Sequence, residues 1–403
     1  MTDAGGPAPR IILVALLLVL PTYAANSQPT TPAEPAARLA IRQLAFSPDG
    51  QYLAAACGTP NQPGCLALWE WQSNRLMFKH DESVPVTNVS YSPSGGLLAI
   101  GMLGPAAKLV SVDTGKVIRE FRGHANHVRS VAFVSEELLA TGSYDHSVRL
   151  WETETGNQLA ELGKHNDEVR DIAASPDGKW LLSGARSPDA RLWNIAERKE
   201  AGVFQPSELI CPTVGFSRDS TVFLTGRWDG VLRIQETQSH SVRAAIRTNN
   251  RVFDLSPDNR TLVICNDTPV IKLVPVSLEA LTEERKQHIA DLIATWHDDD
   301  YSKREAASAK LVEVGMIAEP QLRDAMKWES AEVRIRARLA RAAVLSPEPE
   351  DVDVGHDANV AAVRFSPDGR FVATGDADGV VRVWNASDRA MVAELRLPPQ
   401  APE

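Results

Sequence analysis

Residues Pro347-Glu-Pro-Glu-Asp-Val-Asp-Val-Gly-His-Asp-Ala358 decide how the chain is organised. A helical pattern precedes them and a β pattern follows. Val352 and Val354 alternate with Asp351 and Asp353, as in a short strand with one wet face. Charge of that kind suits the outer edge of a sheet. The stretch therefore either opens a new domain or completes one begun before the helices.

Self-similarity at a fixed spacing settles the choice. Ser-Pro-Asp-Gly occurs at Ser47–Gly50, Ser175–Gly178 and Ser366–Gly369. Looser copies stand at Ser92–Gly95, Ser217–Ser220 and Ser256–Asn259, with a degenerate one near Val134–Glu137. Their spacing is ~40 residues, the length of a four-stranded propeller blade, until Ser256 to Ser366, which spans 110 residues. Each period carries alternating strands between tight turns, as in Val128–Phe133, Leu138–Gly142, Val148–Trp151 and Gln158–Leu162. Period-two alternation between turns means antiparallel strands. Seven periods begin near Leu39, Val84, His127, Glu168, Leu209, Arg251 and Val360.

These residues resemble the WD-repeat β-propeller family, most closely at Gly123-His124, Thr141, Asp145 and Trp151 and at Gly355-His356, Thr374, Asp378 and Trp384. The resemblance implies that each His, hydroxyl, Asp and Trp form a hydrogen-bonded set inside one blade. The chemistry agrees, since a buried carboxylate needs an imidazole N–H and an indole N–H needs an acceptor. The fourth repeat has His165, Ser183 and Trp193 but Ser187 in the Asp slot, and the fifth has Thr225 and Asp229 with Gln235 in the Trp slot. The sixth repeat supplies three strands, 251–256, 261–266 and 270–276, then turns helical. Asp351–Val354 is then its overdue fourth strand, and Gly355-His356 ends one blade and begins the next. The expected fold is mainly β: a seven-bladed WD-repeat propeller with an all-α insertion in the sixth blade, projecting from the disc.

Between Leu278 and Leu345 the period becomes helical. Expected helices run from Thr282 to Trp296, from a capping box at Ser302-Lys-Arg-Glu305 to Gly315, from Pro320 to Trp328, and from Ser330 to about Val344. The last three resemble HEAT-like repeats inserted in some bacterial WD-repeat proteins. His297-Asp-Asp-Asp300 has metal-ligand residue types, but acids before a helix suit its N-terminal dipole. Trp296 and Trp328 are read as core. Arg334, Arg338 and Arg341 form a basic stripe, either a solvated face or a docking stripe for an acidic partner.

Composition bounds the function. The chain has 403 residues, 43% hydrophobic and 23% charged, with a net charge of −10. That balance argues against nucleic-acid backbones and acidic membrane surfaces as default partners. Arg10, the apolar run Ile11–Leu20 and the small residues up to Ala25 have the order of a secretory signal, and the run is too short to span a bilayer. The expected division is a signal peptide (1–24), a Pro-rich linker (25–38), blades one to six (39–276), a helical insert (277–349), the outer strand of blade six with blade seven (350–397), and a tail (398–403). Export to the periplasm or cell exterior follows from this reading, or anchoring through Ile11–Leu20 if the signal is retained. Cys57 and Cys65 flank a turn-rich loop and are either a disulfide or two buried thiols.

No paired carboxylates with a nearby His, no G-x-S-x-G and no phosphate-binding glycine loop occur. No catalytic, metal or cofactor residues are assigned, and the expected function is a non-enzymatic protein-interaction scaffold. The alternative is an extracytoplasmic enzyme, such as a metal-dependent hydrolase with a rim active site. By resemblance to how the family engages partners, candidates are His127, Arg129, Tyr144, Arg170, Arg186 and Trp228, with the helical insert as a second candidate surface. Expected partners are proteins, with no nucleic acid and no small-molecule cofactor.

Overall fold

The computed structural model describes residues 39–204, 210, 213–226, 230–247, 252–265, 268–276, 278, 282–345 and 351–398. Seven four-stranded antiparallel blades follow one another along the chain, each running from its inner to its outer strand. Blade one comprises Ile41–Phe46, Tyr52–Gly58, Gly64–Glu70 and Arg75–Glu82, and blade seven comprises Val360–Phe365, Phe371–Asp376, Val380–Asn385 and Met391–Arg396. Inner strands pack consecutively around a centre, and that of blade seven packs on that of blade one. The result is a closed propeller. Middle strands lie between neighbouring blades and are apolar on both faces, as in the fully buried run Leu53–Gly58. Outer strands such as Arg75–Glu82 mix exposed and half-buried positions.

The repeated Ser-Pro-Asp-Gly is a turn with a side-chain lock. Ser47 Oγ donates to Asp49 Oδ1 at 2.5 Å and accepts from Tyr52 N at 2.9 Å. Gly50 takes φ 73°, which a side chain would resist. Ser175 and Ser366 repeat the lock with Asp177 and Asp368.

Adjacent blades are joined by polar side chains that accept backbone N–H groups across the gap. Gln43 Oε1 takes Val89 N at 2.9 Å, Asn88 Oδ1 takes Val131 N at 3.2 Å, and Ser130 Oγ takes Ile172 N at 3.2 Å. Asp171 Oδ2 takes Val214 N at 3.1 Å, and Asp254 Oδ2 takes Phe365 N at 2.8 Å. These bonds satisfy inner-strand donors that no sheet partner reaches. Blades two and three are further fused through a Met102–Val128 bridge into one eight-stranded sheet. The seven–one joint is apolar: Ile41 and Leu44 pack with Ala362, Val383 and Leu395. Ile41 lies so close over Gly375 that a Cβ there would collide with it. Both terminal blades hold four strands of their own, and none is exchanged.

Blade six contains Val252–Leu255, Thr261–Cys265, Val270–Pro275 and, after the helices, Asp351–Asp353. Val270 is opposite Asp353, Ile271 opposite Val352 and Lys272 opposite Asp351, so the opening stretch does supply the missing strand. Between the third and fourth strands lie α1 (Glu283–Ala294), α2 (Tyr301–Val314), α3 (Glu319–Ala325) and α4 (Ala331–Val344). Their core gathers Ile289, Ile293, Trp296, Leu311, Leu322 and Val333.

Three expectations about the helices need correction. Ser302 does not cap α2: Asp300 accepts from Ser302 N at 2.8 Å, and the helix starts at Tyr301. A carboxylate caps as well as a hydroxyl and also meets the helix dipole. Trp328 is not core but 42% exposed, stacked on His297 at 6.0 Å. The insert does not simply project, because it docks on blade five. There the buried Glu319 receives Arg341 at 2.9 and 2.7 Å and lies 3.6 Å from Arg233 of blade five's third strand, Val231–Glu236. Leu345 packs beside them on Val231 and Ala245. Of the two alternatives open for the cysteines, Cys57 and Cys65 are the buried free thiols, facing each other across the hairpin. Burial raises the Cys57 thiol well above its ordinary value, and its bond with Cys65 raises it further.

Candidate partner-binding rim

Three blades carry the expected polar network, each with its carboxylate at a different place in the turn. In blade three, Trp151 Nε1 donates to Thr141 Oγ1 at 2.7 Å, and Thr141 bonds His124 Nε2 at 2.7 Å. His124 Nδ1 meets Asp145 Oδ2 at 2.9 Å. The chain of donors runs from indole to hydroxyl to imidazole to carboxylate, which requires the proton on Nδ1. Although burial pulls the Asp145 carboxyl upward, bonds from His124, Ser147 and Ala125 N outweigh it and hold it far below the usual range.

Blade seven repeats the chain through Trp384, Thr374 and His356, but the carboxylate is Asp376 and not Asp378. Asp376 sits at the end of the second strand, with its side chain 3% exposed, and meets His356 Nδ1 at 2.7 Å. Its Oδ1 accepts the N–H groups of Asp378 and Val380, both at 2.9 Å, so Asp378 contributes main chain to the set where the family slot would supply a side chain. Blade four also has its carboxylate, displaced the other way. His165 Nδ1 lies 3.2 Å from Asp189 Oδ2, two residues beyond Ser187, at an angle too bent for a full hydrogen bond. Asp189 is held instead by Ser187 Oγ and by Arg191 Nε at 2.6 Å. Burial again opposes, and these contacts again keep both carboxyls below the ordinary range.

These networks set the turns that carry the rim candidates. Tyr144 N donates to His127 O at 2.9 Å, and Arg186 N donates to Glu168 O at 2.8 Å. The same bond in adjacent blades brings each second turn beside the entry of its own inner strand. Three of the six candidates, His127, Tyr144 and Arg170, gather where blades three and four meet. The Arg170 guanidinium lies 4.7 Å over the Tyr144 ring, and His127 meets that ring edge-on at 5.7 Å. Arg170 is held by Glu168 at 2.6 Å, a partner the sequence reading missed although it stands two residues earlier on the same strand face. His127, Tyr144 and Arg170 are half-buried and Arg186 is exposed. Arg129 does something else: it donates to Thr87 O at 3.2 Å, tying blade three to blade two. Trp228 lies outside the described residues.

Below the rim, the central channel encloses about 420 Å³ and is lined in part by Gln43, Asn88, Asp171, Arg218, Asp254 and Arg364. Asp171 stands at the channel wall deep in the ring, half-buried by its neighbours. Burial pushes its carboxyl up, against the pull of Val214 N, Arg364 and Arg129. On the insert, Asp298 holds Lys303 and Asp300 caps α2, which employs two of the three acids of the metal-like run structurally.

A ring of four-stranded blades with a buried His–hydroxyl–Trp relay is a WD-repeat β-propeller. The chain carries WD repeats at four positions, matching the WD domain, G-beta repeat family over residues 35–69, 115–152, 156–194 and 348–385. The four helices lie outside those segments. Among relatives, Transducin beta-like protein 3 of Bos taurus is 29% identical over 215 residues, 49% of this chain and 26% of the relative. Periodic tryptophan protein 2 homolog of Caenorhabditis elegans is 30% identical over 92 residues, 23% and 10% of the two chains. U3 small nucleolar RNA-associated protein 21 homolog of Schizosaccharomyces pombe is 30% identical over 75 residues, 19% and 8%. The chain thus spans about a quarter or less of the length of these relatives.

The fold class and these relatives support a protein-interaction scaffold. They overturn the expected export: the relatives are eukaryotic, and one is named for association with a small nucleolar RNA, an intracellular molecule. No helix among the described residues is long and apolar enough to cross a membrane. The repeats suggest protein partners, and net charge alone does not decide against nucleic acid when a relative is named for RNA association.

Proposed function

We propose that this chain is a scaffold that binds a protein partner through the rim shared by blades three and four, centred on Tyr144 and Arg170. The observation that carries the reading is the Arg170–Tyr144–His127 stack, half open to solvent at a blade joint. Aromatic and Arg side chains are the usual anchors of protein interfaces. This one is already fixed by Glu168 and by the turn bonds, so little side-chain freedom is lost on binding. The relative named for a small nucleolar RNA makes an RNA-containing assembly the natural setting. There the acidic chain touches protein components at this rim.

The test is the pair Tyr144→Ala and Arg170→Ala in the full chain, compared with wild type by quantitative co-purification from its own cells. Anchor residues of this kind contribute about 2 kcal/mol or more each, so the double variant should lose its partner at least tenfold. Its melting temperature should change little, because neither side chain belongs to a buried network. An unchanged partner set, or a large drop in melting temperature, refutes the assignment.

A further inference from the structure

The three most exposed large apolar side chains among the described residues are Leu339 (66%), Tyr301 (63%) and Ile335 (58%), and all lie on the helical insert. Ile335 and Leu339 are one turn apart on α4, opposite Val333, Ala337, Ala340 and Val344, which face the helical core. Ala331 and Ala342 extend the same outward face, and both are exposed. So α4 is apolar on two sides, and only one of them is buried within this chain.

The charges around the outer side are not balanced. Arg336 is neutralised by Glu305 and Glu332, and Arg341 by the buried Glu319. Arg334 instead donates to the main-chain oxygens of Trp328 and Glu329, at 2.9 and 2.5 Å, which carry no charge to cancel its own. Arg338 is exposed beside Ile335 and Leu339 and makes no ion pair among the described residues. A chain with a net charge of −10 thus presents an apolar stripe bordered by two uncancelled cations.

We infer that the outer face of α4 is a docking site for an acidic amphipathic helix of another protein. Its apolar stripe would cover Ile335 and Leu339, with Glu or Asp side chains reaching Arg334 and Arg338. Helix-on-helix recognition reads anchors one turn apart, the spacing shown here. Charge also excludes self-pairing. A twofold contact through α4 would bring Arg338 of both copies to one seam, and like charges there oppose association. The site is separate from the rim and does not depend on the rim assignment.

The probe is a synthetic helix of about five turns with Leu on one stripe and Glu along its borders, and a twin in which Lys replaces Glu. Anisotropy is measured with the full chain at low and high salt. The Glu peptide should bind at least about tenfold more tightly than the Lys twin and weaken with salt, as charge-matched contacts do. Ile335→Glu with Leu339→Glu should abolish binding, and Arg338→Glu should weaken it about tenfold. Tyr144→Ala with Arg170→Ala should leave it unchanged. The replaced side chains are exposed, so circular dichroism should show the fold intact. Equal binding of the two peptides, no binding, or binding that survives the α4 changes overturns the inference. So does a dimer in light scattering that Leu339→Glu dissolves, because the occupant would then be a second copy.

Discussion

Asp376→Asn and Asp378→Asn distinguish the structure from the family pattern at one position. Asp376 makes three bonds from a buried site: His356 Nδ1 at 2.7 Å and the N–H groups of Asp378 and Val380 at 2.9 Å. Its amide isostere can keep Oδ1 for the two main-chain donors, but its NH2 then faces the imidazole N–H. Moving the His356 proton to Nε2 relieves that clash only by weakening the relay at its other end. Thr374 would then receive both the imidazole and Trp384 N–H groups and would have to turn its own hydrogen toward Arg382 O, 3.4 Å away. One charge-assisted bond is lost and a buried donor is left poorly matched, which costs about 3 kcal/mol. Asp378 is only half-buried and its carboxylate lies outside the His356 relay, so its replacement should cost far less. Hydrogen exchange reads the difference locally. Amides in Phe371–Asp376 and Val380–Asn385 should exchange about a hundredfold faster in Asp376→Asn, since 1.4 kcal/mol is a factor of ten. In Asp378→Asn they should match wild type. The reverse order would return the carboxylate role to Asp378 and refute the network as described.

Two further outcomes follow from buried charge. Asp145, Asp189 and Asp376 all have pKa values depressed in the folded state, so their stabilisation is complete above the unfolded value of about 3.9 and is lost as pH falls through the lower folded values. Melting temperature should therefore be insensitive to these groups from neutrality to about pH 4 and decline below it; a decline tied to them that starts near pH 6 would contradict this. Glu319→Gln should leave Arg233 and Arg341 without their shared buried carboxylate, at a cost of about 3–5 kcal/mol. Proteolysis within the insert and exchange in blade five's outer strand, Val242–Arg247, should rise while blades one to three keep their protection. Unchanged exchange at that strand would mean the insert is not held there.

The propeller was legible in the sequence because every blade must solve the same local problem. A turn that locks its own Ser to its own Asp leaves a copy of itself at each period, and alternation marks the strands between. The return of Asp351–Asp353 to blade six was readable for the same reason, since a blade with three strands is incomplete. Positions that answer to a neighbour rather than to the repeat were not readable. Asp376 and Asp189 reach the same imidazole nitrogen as Asp145 from either side of the expected slot, because a tight turn brings three consecutive same-face positions to one place. Asn88, Ser130 and Asp171 look like ordinary polar residues until the next blade's N–H lies against them. Glu319 drew no notice in the sequence, and only docking reveals Arg233 beside it. The rim cluster was partly legible: the aromatic and arginine types were found, but Glu168 was not, and Arg129 serves the joint to blade two.

The docked insert also bears on the order in which the ring can be made. Blade six's third strand ends at Pro275 and its fourth begins at Asp351, so that pairing must wait for the whole insert. A free loop of that length pays a closure entropy that grows with the logarithm of its length. Once Glu319 and Leu345 have seated on blade five, however, only residues 346–350 separate an anchored point from the waiting edge. Shortening the open span about fifteenfold lowers that entropy by roughly 2 kcal/mol. The docked helices thus narrow the gap across which the last strand of blade six must pair.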